Sequence, residues 1–121
     1  MTELNAMMGW TFVQEIDVPE SVKDLLVDGE VAKVAYKTVR DTAVVTNKRI
    51  IISDKQGLTG KKVEIYTIPF KSINMYSTEN AGTFDANAEI QLWTRAGNFK
   101  LNLNRRVDIR KLDKIIAEAI L

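Results

Sequence analysis

The sequence predicts a mainly β domain, a seven-stranded antiparallel sandwich or barrel with a short N-terminal helix and an amphipathic α-helix capping its C-terminus. Three observations carry that reading. Short β-branched or aromatic runs follow one another between turn residues from Glu30 to Asn104. Apolar residues recur at clean helical spacing only at the end, in Ile109, Leu112, Ile115, Ile116, Ala119 and Ile120. No linker, repeat or low-complexity tract divides the 121 residues, so a single domain over 1–121 is expected.

The elements follow in order. Residues 1–18 mix Met7, Met8, Trp10, Phe12, Val13 and Ile16 without a clear period, which reads as an arm or short helix that docks elsewhere. Pro19 and Gly29 then bracket Val22, Leu25 and Leu26 on one face, predicting a helix of about two turns. Across 30–104, Ala32, Val34 and Tyr36 alternate with Lys33, Ala35 and Lys37, and a turn at Arg40–Asp41 leads to Ala43–Thr46. The pair Asn47–Lys48 suits a tight hairpin into Arg49–Ser53. Strands at Lys62–Thr67 and Ser72–Ser77 are separated at Pro69, which cannot donate to a ladder. After a loop carrying Asn80–Thr83, Ala88–Trp93 and Phe99–Asn104 alternate across a turn at Ala96–Gly97–Asn98. The helix over 107–121 has Asp108 at its N-cap, with Arg110, Lys111, Lys114 and Glu118 opposite its apolar stripe.

Composition narrows the function. The chain has no cysteine and no histidine, so disulfides, thiolate nucleophiles and the commonest general base and metal ligand are missing. No apolar run approaches the roughly 20 residues that span a bilayer, and the N-terminus lacks the basic start and apolar core of a secretion signal; a cytoplasmic address is expected. The net charge of +1 argues against a nucleic-acid track. It conceals an asymmetry, however. Residues 1–30 set seven acids against Lys23 alone, whereas residues 33–62 set eight cations against Asp41 and Asp54. Solvated faces explain this simply; the sharper reading is an acidic N-terminal element facing a basic surface, in its own subunit or in a neighbour.

Two motifs fail on inspection. The stretch "SDKQGLTGKK" (Ser53–Lys62) ends like a phosphate-binding loop, but Lys55 stands where that loop needs Gly and Lys62 where it needs Ser or Thr. It also feeds the β-type run Val63–Tyr66 instead of a helix, so Gly57 and Gly60 are expected to take positive φ in a strand connection. Asp85, Asn87 and Glu89 open like a calcium loop, yet Ile90 occupies its glycine position. No catalytic residue, cofactor site or metal ligand emerges, and no enzyme activity is expected.

The order of elements, together with "VVTNKRIIISDKQGLTGKKVEIYTIPFKSI" (Val44–Ile73) and "ENAGTFDANAEIQLW" (Glu79–Trp93), resembles the bacterial pleckstrin-homology-like domain family, formerly a domain of unknown function. The resemblance covers roughly residues 20–121, and its most specific parts are the T-N-K-R hairpin, the D-K-Q-G-L-T-G-K-K loop and the I-P-F-K-S-I joint. It implies a PH-like sandwich and ring-shaped homo-oligomers, pentamers among them, with no enzyme activity.

Candidate interface residues are Trp93, which alternation turns outward while Ile90 and Leu92 point in, and Trp10 and Phe12 of the arm. A weaker anion-binding set is Lys33, Lys37, Lys48, Arg49, Lys61 and Lys62. The basic loop by which eukaryotic PH domains hold phosphoinositides corresponds here to Thr38–Thr42, where Arg40 and Asp41 nearly cancel. The first reading is therefore a self-assembling protein-interaction scaffold, with itself and other proteins as partners. An anion or phospholipid-headgroup binding module, in peripheral contact with lipid, is the alternative.

Overall fold

The computed structural model describes residues 7–82 and 87–121. Among these residues eight strands form one sheet: β1 (Met7–Ile16), β2 (Ala32–Thr38), β3 (Asp41–Thr46), β4 (Arg49–Gln56), β5 (Lys62–Pro69), β6 (Ile73–Glu79), β7 (Ala88–Thr94) and β8 (Gly97–Leu103). Helix α1 (Glu20–Lys23) lies between β1 and β2, a 3₁₀ turn (Phe70–Ser72) joins β5 to β6, and α2 (Ile109–Ile120) closes the chain. The spatial order is β5-β4-β3-β2-β1-β8-β7-β6. Every neighbouring pair is antiparallel except β1 and β8, which run parallel.

The extra strand corrects the sequence reading. Residues 7–16 are neither an arm nor a helix; they form the central strand that bridges the β2–β5 meander and the β6–β8 meander. A bulge between Phe12 and Gln14 explains why no alternation was visible. Before it, the even-numbered Trp10 and Phe12 point into the main core; after it, Ile16 packs with the cluster on the opposite face. The helix expected between Pro19 and Gly29 shrinks to one turn. Val22 is buried and Leu26 partly so, while the chain beyond Lys23 turns away.

All eight strands contribute to one apolar cluster, so the sheet must curl around it. Val34 and Tyr36, Ala43 and Val45, Ile50 and Ile52, Ile90 and Leu92, Leu101 and Leu103 show the period-2 alternation that a half-buried strand requires. α2 plugs one end with Leu112 and Ile116 fully buried, each burial stabilising by roughly 1.5–3 kcal/mol. Asp108 caps the helix as expected, its carboxylate accepting from the Lys111 N–H at 3.1 Å. A second, smaller cluster of Val22, Ala35, Val44 and Ile51 lets the α1 segment cover the outer face of β2–β4. Gly57 and Gly60 take positive φ between the antiparallel β4 and β5, so this stretch is a strand connection.

Strand directions follow from the pairings. Starting from β1, alternation through β2, β3 and β4 gives β5 the direction of β1; through the parallel β8 and then β7, it gives β6 that direction too. The two edge strands of the sheet therefore run the same way.

Candidate functional site

β5 and β6 are the two edges of the sheet, and among the described residues neither has a second strand beside it. On β5, Val63 and Ile65 are 47% and 46% exposed; on β6, Met75 is 56% exposed. Met75 pairs across the ladder with Trp93, which is half-buried on the outer face as alternation predicts, with Asn98 on its other side. Trp10 and Phe12 lie elsewhere. Both are buried in this chain's own core, where Trp10 meets Tyr66 and Phe99 at ring-centroid distances of 5.5 and 6.0 Å and Phe12 stacks on Tyr36 at 5.0 Å.

The basic residues singled out from the sequence do not converge on one site. Lys33 lines a cleft with Asn47, Ile115, Glu118 and Ala119, and Lys48 lines an adjoining one with Phe70 and Lys71. These lysines sit beside the last turns of α2, where cations complement the negative end of the helix dipole. Lys37 lies towards the other end of β2, and Lys61 and Lys62 close the loop at the far end of β4. A larger cleft of about 630 Å³ lies between β6 and α2, lined by Ser77–Asn80, Ile109, Arg110 and Asp113, with the Thr78 hydroxyl donating to Asp113 at 3.0 Å. Asp85 lies outside the described residues, and among those described no cluster of three acidic side chains could hold a metal ion.

Arg49 is committed elsewhere. Its Nε donates to Glu30 Oε2 at 2.8 Å and its Nη2 to Glu30 Oε1 at 3.1 Å and to the Leu25 carbonyl at 2.8 Å. Glu30 also accepts from the Thr46 hydroxyl at 2.7 Å and the Val27 N–H at 3.0 Å, and its side chain has no exposed surface. The Arg49 hydrogen bond, supported by those from Thr46 and Val27, outweighs desolvation and holds the Glu30 carboxyl at about 2, against its ordinary 4.5. Asn47 completes the clamp, donating to the Gly29 carbonyl at 3.0 Å and accepting from the Val31 N–H at 2.7 Å. Sequence reasoning missed Glu30. It is one of seven acids in its segment, and its burial depends on an arginine 19 residues away.

Burial, with smaller contributions from the Glu15 and Asp108 carboxylates, raises the Tyr36 hydroxyl far above its ordinary range, and that oxygen has no partner among the described residues. A curled sheet of two antiparallel meanders joined through β1, its end closed by a C-terminal amphipathic helix, is a PH-like fold. The family model for the bacterial PH domain matches residues 2–120, and the chain belongs to that family. The uncharacterized protein YozO of Bacillus subtilis (strain 168) is 31% identical over 111 residues, covering 92% of this chain and 96% of YozO. The uncharacterized protein YjqA of the same organism is 49% identical over 76 residues, a match spanning 63% of this chain but only 61% of YjqA. Among solved structures, a DUF1696-family protein with a pleckstrin-homology domain from Shewanella loihica PV-4 superposes with a TM-score of 0.80 at 37% identity, covering 89% of this chain and 97% of its own.

Proposed function

We propose that this domain is a non-enzymatic, cytoplasmic scaffold that closes into a ring-shaped homo-oligomer through its sheet edges and presents its remaining surfaces to other proteins. The observation that carries this reading is the shared direction of the two open edges, β5 and β6. Unpaired edge amides and carbonyls invite another strand. When β6 of one copy lies beside β5 of the next, inner faces stay on one side, and the exposed Val63 and Ile65 border Met75 and Trp93 of the neighbour. That contact is head-to-tail, leaves the same two edges free at the ends of any chain of copies, and is satisfied completely only by closure. A two-fold contact would use one edge twice and leave the other unpaired.

The test is light scattering at micromolar concentration. The expected mass is a multiple of 13.7 kDa that falls to the single-chain value in the Ile65→Lys/Met75→Lys variant, with its circular dichroism unchanged. A wild-type mass of one chain would refute ring closure.

A further inference from the structure

The Glu30 clamp raises a question of its own. A fully buried carboxylate is costly to desolvate, and a buried ion pair is weak grounds for stability. Here it is spent on holding an exposed loop. Residues 24–31 are tied to the β3–β4 hairpin through Glu30, Arg49 and Asn47, which fix the main chain at Leu25, Val27, Gly29 and Val31. The turn at its tip takes Gly29 at φ +80°, with the Glu30 N–H donating to the Val27 carbonyl at 3.0 Å. Thus pinned, the loop turns Val27 and Val31 outward, 58% and 53% exposed, beside the partly exposed Leu25. Arg49 reaches both the Leu25 carbonyl and Glu30, so the two ends of this apolar stretch lie side by side.

The surrounding charge identifies what fits there. Asp24 and Asp28 are exposed and make no ion pair among the described residues, whereas Lys23 is taken by Glu20 at 2.9 Å and Arg49 by Glu30. Lys33 is turned to the α2 side, in the cleft with Ile115 and Glu118. From this geometry we infer that residues 24–31 form a pre-organised docking platform for a partner protein's segment carrying apolar side chains flanked by lysine or arginine. The apolar centre with a charged rim follows the anatomy of protein interfaces, and rigidity fixed in advance removes an ordering cost from binding. Asp24 and Asp28, two of the seven acids of residues 1–30, gain a use here. The platform gives the scaffold reading a partner class and needs no ring, because it is contained within one chain.

The probe is a short fluorescent peptide of alternating lysine and leucine, with a glutamate–leucine peptide as control, titrated into the full chain at low salt by anisotropy. Selective binding of the lysine peptide is expected. It should weaken roughly tenfold in Val27→Ser/Val31→Ser and in Asp24→Lys/Asp28→Lys, whose exposed positions leave the melting temperature unchanged. Binding should persist in the single-chain Ile65→Lys/Met75→Lys variant, so the platform can stand where ring closure fails. Equal binding of both peptides, or equal binding by the platform variants, would overturn the inference. So would a drop in wild-type oligomer mass on Asp24→Lys/Asp28→Lys, which would seat there the exposed Leu58 and Lys61–Lys62 of a second copy.

Discussion

Replacing Arg49 by methionine keeps most of its aliphatic stem but removes the cation from a carboxylate that has no access to water. The magnitude follows from the carboxyl itself. Holding Glu30 at about 2 instead of 4.5 corresponds to about 3 kcal/mol at neutral pH, the lower end of the ~3–5 kcal/mol cost of stripping one partner from a buried pair. Glu30 is depressed in the folded state, so its contribution is complete above about 4.5 and is lost as pH falls through about 2. In Arg49→Met the orphaned carboxyl instead protonates readily, which relieves its penalty in acid. Urea titration at pH 7 should therefore show a loss of about 3 kcal/mol, and a thermal scan a drop of roughly 10–15 °C, with the gap from wild type narrowing below pH 4.5. Glu30→Gln/Arg49→Met should recover part of the loss by removing the buried charge. A cost below about 1 kcal/mol at pH 7, or a gap that does not change with pH, would refute the electrostatic account and leave the clamp as ordinary packing.

Two further outcomes check the core. Tyr36→Phe deletes a buried hydroxyl without a partner and should be neutral or stabilising by calorimetry at pH 7; because burial raises that hydroxyl, its contribution is complete below about 10 and is lost as pH rises beyond, so the variant should resist alkaline unfolding better than wild type. Leu112→Ala opens a cavity where α2 plugs the sheet and should cost about 2–5 kcal/mol in urea denaturation, whereas Lys114→Ala on the exposed face should stay within about 0.5 kcal/mol.

How far the sequence could be read depended on whether each signal was local. The alternation of Ile90 with Gln91 and Leu92 with Trp93, and the helical recurrence from Ile109 to Ile120, place each residue by its near neighbours, and the structure keeps those elements in place. β1 escaped because its bulge reverses which parity faces the core halfway along, so Trp10 and Ile16 serve opposite faces and their pattern imitates an arm. The α1 segment was over-extended for a related reason. Leu25 satisfies the helical stripe with Val22, but the Arg49 guanidinium captures the Leu25 carbonyl from outside the helix, and the chain turns toward Gly29. The basic set fails as a site because it is split between two ends of the sheet, with Lys33 and Lys48 beside α2 and Lys61 and Lys62 the length of β4 away. Non-local chemistry brings Glu30 to Arg49, and so turns one unremarkable acid in a crowded acidic stretch into the residue that fixes the shape of the exposed loop.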